Sequence, residues 1–199
     1  DPDVDVVGVM GRRETAVKKI SEQYRIYGTT QFAEILKKEP EAVFIHTSTE
    51  SHYELVKKCL LEGLPVYVDK PLSYLWNETK ELVSLAEKKD LLLAVGFNRR
   101  FAPLYQEAKK WISEKGSFDY CMAEKHRTSK QKASAEITIY DDVIHIIDLL
   151  FWLGDDNYKI NSHIEQKDND GKLIYAVGSM CFHNNNIGNY SMVRTAGIN

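Results

Sequence analysis

Apolar and polar positions along the first half of the chain repeat a simple pattern. A β-branched apolar run, Val4 to Met10, is followed by Gly11-Arg12-Arg13 and then by apolar residues at helical spacing from Thr15 to Tyr24. Ala42 to His46, Val66 to Asp69 and Leu91 to Val95 read as buried strands, and Arg25-Ile26-Tyr27 as a shorter strand. Helices are predicted between them: from an N-cap at Thr30 to about Lys38, from Ser51 to Glu62 closed by Gly63, and from Asn77 to Lys89. Strands that are apolar throughout, alternating with helices, predict an α/β fold with a parallel sheet covered on both faces.

The pattern changes after Gly96-Phe97-Asn98-Arg99-Arg100. A helix from about Ala102 to Glu114 leads into a longer strand, Ser117 to Arg127, and a polar loop, Thr128 to Ala135. A strongly apolar helix then spans Asp141 to Leu153 and is stopped by Gly154. Strands are predicted at Tyr158 to Glu165, Lys172 to His183 and Tyr190 to Thr195, separated by turns at Asp168 to Gly171 and Asn184 to Gly188. Two domains are expected, 1–100 and 101–199, the second an α+β domain with a largely antiparallel open sheet.

Composition adds limits rather than a direction. The 199 residues are 43% hydrophobic and 28% charged with a net charge of -3, the balance of an ordinary soluble globular protein. Nothing there calls for nucleic acid or an anionic membrane as partner. The longest apolar runs are too short to span a bilayer, and no signal peptide follows the opening Asp1-Pro2-Asp3. Cys59, Cys121 and Cys181 form no CxxC, which argues against a disulfide framework or structural zinc and fits a reducing cytoplasm.

Two stretches could carry chemistry. Val66 to Leu72 delivers Lys70 at the C-terminal end of a strand, where α/β sheets bind ligands, and Pro71 keeps Lys70 extended. The plainer alternative is a strand end with solvated charges. In the apolar helix, Asp141 and His145 stand at i and i+4 and share a face, with Asp148 close to it. A carboxylate one turn from a histidine can orient its ring and raise its basicity, as a general base near neutral pH requires. Alternatively, Asp141 and Asp142 serve the helix N-terminus and His145 is a satisfied core residue. No further His or Cys cluster supports a metal site. Lys125-His126-Arg127 reads as a solvated strand end, with contact to an anionic or polyhydroxyl substrate as the alternative.

Asp69-Lys70-Pro71-Leu72, Gly96-Phe97-Asn98-Arg99-Arg100-Phe101 and Asp141 to Gly154 occur in this order at suitable spacings. Together with His46-Thr47-Ser48-Thr49 and His52, they resemble the glucose–fructose oxidoreductase / inositol dehydrogenase / rhizopine-catabolism (Gfo/Idh/MocA) family. Asp69 stands where that family usually has Glu, and Val143 where it often has Gly. The resemblance implies a Rossmann domain followed by an α/β domain whose open sheet often mediates homo-oligomers, dimers or tetramers. It implies hydride transfer between NAD(P) and a hydroxyl carbon of a sugar, cyclitol or related small molecule. In that setting Lys70 would bind the reacting oxygen, His145 would exchange the hydroxyl proton with Asp141 orienting it, and Asp148 would hold a substrate hydroxyl. Thr47, Ser48, His52, Asp69, Lys70 and Arg99 would flank the dinucleotide.

A Rossmann fold opens with a strand and a G-x-G-x-x-G turn, and neither is present. The resemblance makes Val4 to Met10 the second strand, so a βα unit of roughly 30 residues is expected to be missing, and the chain is read as an internal piece. At the end of that strand Gly11 stands near the position of the acid that binds the ribose of NAD, and Arg12 and Arg13 follow. Arginine there suits the 2′-phosphate of NADP, which is slightly favoured over NAD. Two other readings remain: a relative that uses NAD transiently in glycoside cleavage or elimination, and a non-catalytic dinucleotide-sensing protein.

Overall fold

The continuous apolar runs of the first half form short parallel strands. The computed structural model describes residues 3–154, 157–183 and 185–197, so Asn184 of the second expected turn lies outside the described residues. Contacts divide the chain into two units, Asp1–Val68 with Asn77–Ala94, and Asp69–Trp76 with Val95–Asn199. The chain crosses between units at Asp69, returns at Asn77 and crosses again at Val95, and the lysine-bearing turn belongs with the second unit.

In the first unit β1 (Val9–Met10) is followed by α1 (Glu14–Tyr24), β2 (Gly28–Thr29) and α2 (Phe32–Leu36). β1 and β2 are parallel, with Val9 opposite Gly28. β1 is shorter than the apolar run because Val4, Val6 and Val7 find no ladder partner and stay exposed. The second strand begins three residues later than the sequence suggests. Arg25 adopts the left-handed conformation at φ 56 to end α1, donating its N–H to the Ser21 carbonyl, so it cannot enter a strand. Thr30 is likewise not a cap: α2 starts after Gln31, whose N–H donates to Thr29 Oγ1 at 3.0 Å.

The unit continues with β3 (Val43–Ile45), a 3₁₀ turn at Thr49–Ser51, α3 (His52–Leu61), β4 (Val66–Asp69), α4 (Trp76–Lys89) and β5 (Leu93–Gly96). β3, β4 and β5 lie in that order in a second sheet, with β3 and β4 parallel. Ile45, Val56, Cys59, Leu60, Val66, Val68, Leu82 and Ala86 are buried, the inward faces of strand and helix that the apolar pattern implied. β1–β2 and β3–β4–β5 are separate sheets.

In the second unit a 3₁₀ turn at Asn98–Phe101 precedes α5 (Pro103–Lys115), β6 (Tyr120–Glu124), α6 (Ala135–Thr138) and α7 (Ile144–Leu153). Three longer strands follow: β7 (Tyr158–Lys167), β8 (Leu173–Phe182) and β9 (Ile187–Val193). The sheet order is β6-β9-β8-β7, antiparallel except for the β6–β9 pair. Val143, Ile146 and Leu150 of the helical segment pack on Ala176, Met180, Phe182, Tyr190 and Met192 of one sheet face. The apolar helix begins earlier than predicted, after the N-cap Ser134, whose Oγ accepts the Ile137 N–H at 3.3 Å. Between α6 and α7, Ile139–Val143 is wound as a π-helix, a wider turn than the α-helix on either side.

Gly178 shows how closely this sheet is packed. It faces Tyr190 across the ladder, and a Cβ there would meet both the Tyr190 ring and, at 2.5 Å, the Ser162 carbonyl oxygen. The Tyr190 hydroxyl over it bonds His163 Nδ1 at 2.7 Å. Gly178→Ala is expected to destabilise the protein by about 1–3 kcal/mol, read as a lower urea midpoint with an unchanged slope.

Candidate active site

The π turn brings two adjacent acids into the second unit with different surroundings. The Asp141 backbone oxygen accepts the Lys70 ammonium at 2.8 Å, and Lys70 Nζ stands 3.9 Å from Asp141 Oδ1. Asp141 Oδ1 also accepts the Tyr74 hydroxyl at 3.1 Å, and Oδ2 the Gln131 amide at 3.5 Å. Lys70 is largely buried, its side chain 15% exposed, so it is not the solvated strand end of the plainer reading. Its own N–H donates to Asp69 Oδ1 at 2.8 Å, which ties Asp69 into the strand end.

Asp142 is buried and surrounded by cations. Lys125 and Arg194 both pair with its carboxylate, and Arg127 reaches both oxygens at 3.4 Å. Burial raises the Asp142 carboxyl pKa, but the hydrogen bonds and charges of Lys125 and Arg127 outweigh it and hold the group at about 2. Neither acid serves a helix N-terminus, because the helix is capped at Ser134. Lys125, read from sequence as solvated, is buried with an 8% exposed side chain, and burial pushes its pKa down.

The expected pairing of Asp141 with His145 is not made. The two are four apart, but the intervening turn is partly π-helical, and the Asp141 carboxylate goes to Tyr74 and Gln131. His145 Nδ1 is buried with no hydrogen-bond partner among the described residues. Its basicity is lowered, not raised. Burial first, then the charges of Lys125, Arg99 and Lys70, outweigh Asp142 and bring the imidazole to a pKa of about 4. Asp148 is 5% exposed, and its carboxylate is forked by Arg100, with Nε at 2.9 Å and 3.1 Å from the two oxygens. It therefore anchors Arg100 instead of presenting a free oxygen.

Arg99 sits in the second unit, in the 3₁₀ turn Asn98–Phe101, and the other expected residues sit in the first unit. Gly11 follows β1 and packs tightly, with Val17 Cγ2 3.0 Å from where a Cβ would stand. Arg12 and Arg13 are exposed, and among the described residues neither forms an ion pair. Thr47 and Ser48 are exposed just beyond β3. His52 is buried, and its Nε2 lies 3.2 Å from the Thr47 carbonyl, so it braces that loop from beneath. Exposed hydroxyls and arginines after parallel strands, with close backbone packing at Gly11, fit the polar half of a dinucleotide.

Sequence reasoning missed Tyr74, Arg100 and Arg194, and gave Asp142 a different role. Only one signal was available: Lys125 and Arg127, at i and i+2 of one strand, had to face the same side. Among the described residues no three His, Cys, Asp or Glu side chains converge as a metal site. No helix there is long and apolar enough to cross a membrane.

Residues 1–97 match the family model GFO_IDH_MocA, an oxidoreductase family with an NAD-binding Rossmann fold, and residues 103–199 match the YceM-like C-terminal domain. The chain belongs to the Gfo/Idh/MocA family. It is 38% identical to the Salmonella typhimurium protein named "Putative oxidoreductase YceM" over 79% of this chain and 50% of that protein. It is 30% identical to the inositol 2-dehydrogenase of Paracoccus denitrificans over 60% of this chain and 37% of that one. A crystal structure of the dehydrogenase MviM from Clostridium difficile superposes with a TM-score of 0.88 at 34% identity, covering 97% of this chain and 62% of the other. The chain thus spans half or less of the length of these curated relatives.

In this Gfo/Idh/MocA chain the depressed imidazole has a consequence for stability. Between pH 6.5, its ordinary value, and about 4, the unfolded chain protonates His145 and the folded one does not. Acidification through this window therefore costs the native state stability. His145→Gln is expected to lose less stability than the wild type between pH 6.5 and 4 and to show a pH-independent difference above it. Urea midpoints measured across the window check this.

Proposed function

We propose that the protein is an NAD(P)-dependent oxidoreductase acting on a hydroxyl carbon of a sugar, cyclitol or related small molecule. The observation that carries this reading is the presence in one unit of a fixed ammonium and a neutral, half-buried imidazole. Lys70 is held on the Asp141 carbonyl, and His145 stays deprotonated at neutral pH. When bound, the nicotinamide supplies the hydride chemistry. Lys70 donates a hydrogen bond to the reacting oxygen and stabilises the negative charge that grows there. His145 takes the hydroxyl proton at the ring nitrogen opposite its buried Nδ1, or returns it in the reverse direction. Asp141 and Tyr74 position Lys70, and Asp148 acts by fixing Arg100.

Gly11, Arg12, Arg13, Thr47, Ser48 and Arg99 are the proposed dinucleotide contacts, with His52 and Asp69 supporting them. NADP is the slightly favoured cofactor, because Arg12 and Arg13 follow β1 without ion-pair partners among the described residues. A homo-oligomer is proposed from the outer face of the second unit's sheet. That face carries Tyr120, Met122, Ile164 and Ile187, all exposed. Three free cysteines suit a reducing cytoplasm.

Lys70→Met and His145→Gln are each expected to lower turnover by about 10²–10⁴-fold while NAD(P)H affinity, read by fluorescence titration, is retained. Wild-type turnover in both variants would remove the catalytic assignment. Turnover without net release of reduced cofactor would favour the transient-oxidation relative, and cofactor binding with no turnover on any polyol would favour the sensor. For the cofactor, NADPH is expected to bind more tightly than NADH, and Arg12→Ala to weaken NADPH by about tenfold or more. Equal titrations unaffected by the substitution would remove the NADP preference.

A further inference from the structure

The charges around His145 do not balance. In the second unit Lys70, Arg99, Arg100, Lys125, Arg127 and Arg194 stand against four carboxylates, Asp69, Asp141, Asp142 and Asp148. Asp148 is used by Arg100 and Asp141 by Lys70. Asp142 alone answers Lys125, Arg127 and Arg194, and Arg99 has no ion pair among the described residues. The excess is local, because the chain as a whole carries a net charge of -3.

The three cations at Asp142 are not equivalent. Lys125 and Arg194 are buried, with side chains 8% and 7% exposed, and take the closest contacts to the carboxylate. Arg127 comes third, at 3.4 Å from both oxygens, with its side chain 49% exposed. One carboxylate cannot offset three neighbouring positive charges in a partly desolvated site, and like charges there repel at short range. The depressed Lys125 ammonium, to which Arg99 and Arg127 both contribute, reflects the same crowding. Arg194 Nε is also buried without a hydrogen-bond partner among the described residues. Such an arrangement is stabilised by a further anion, and an open guanidinium is the group best shaped to grip one bidentately.

We propose that the substrate carries an anionic group, a carboxylate or a phosphate ester, held by Arg127 with Lys125 behind it at the end of β6. This rests on the oxidoreductase reading and narrows it. A sugar acid or sugar phosphate then fits the site better than the neutral sugar or cyclitol. The anion is anchored at one end of the substrate while the hydroxyl carbon is presented to Lys70 and His145.

The test uses the protein saturated with cofactor, so that cofactor phosphates are not the anion being read. Inorganic phosphate and gluconate are titrated at constant ionic strength, with glucose as the neutral probe, following the unfolding temperature and the heat of binding. Phosphate and gluconate are expected to bind and raise Tm, while glucose and added sodium chloride do not. Arg127→Gln is expected to weaken the anions by about tenfold or more. Lys110→Gln, which removes the same charge from an exposed position on α5, is expected to leave them unchanged. No anion-specific binding, or equal binding in Arg127→Gln, would overturn the proposal while intact NAD(P)H titrations left the oxidoreductase reading standing. Failure of the wild type to bind either cofactor would overturn both.

Discussion

The second unit depends on keeping Asp142 ionised inside the protein. A carboxylate that is almost fully buried survives only with partners, and here they come from two distant strands: Lys125 and Arg127 from the end of β6, and Arg194 from beyond β9. These contacts pin the helical segment to the parallel pair of the sheet at its polar end. Val143, Ile146 and Leu150 pin it by apolar packing along its length. Ion pairs specify where the helix starts on the sheet, and packing holds it there.

Neighbouring acids in the π turn do different work. Consecutive residues on a helix point in different directions, about 100° apart in an α-helix and somewhat less in the wider π turn. Asp142 turns to the basic cluster, and Asp141 to Tyr74, Gln131 and Lys70. The Asp141 carbonyl is also drawn into use, accepting the Lys70 ammonium. One irregular turn thus connects the lysine after β4 to the cation cluster through a single pair of residues.

How far the sequence could be read follows from what each feature depends on. Buried strands such as Val66–Asp69 and helices such as Trp76–Lys89 were legible, because apolar periodicity records burial directly. The first strands were placed less well. Their ends depend on ladder partners, which Val4, Val6 and Val7 lack, and on the left-handed turn at Arg25. Lys70, Asp141, His145 and Asp148 could be singled out in the sequence, but the partners each takes could not. Spacing of i and i+4 assumes an α-helix, and the π turn breaks that assumption between Asp141 and His145. Arg194 and Lys125 reach Asp142 from 52 and 17 residues away, a convergence that only the sheet topology creates.

The low basicity of His145 comes first from burial and then from the excess of positive charge around it. Burial, and after it the cations that crowd the site, make an imidazolium costly, so His145 would act as a weak base in its neutral form. A weak base is adequate only if the proton it accepts is made more acidic. In the proposed reaction Lys70 does this, because an ammonium bonded to the reacting oxygen favours the alkoxide over the alcohol. The same field that weakens the base stabilises the anion formed when the base acts. An acid–base pair in a positive site is therefore tuned from both sides, with less demand on the histidine than a carboxylate-activated base would meet. An anionic substrate group completes the balance, since it offsets the cations at Asp142 while leaving Lys70 for the reacting oxygen.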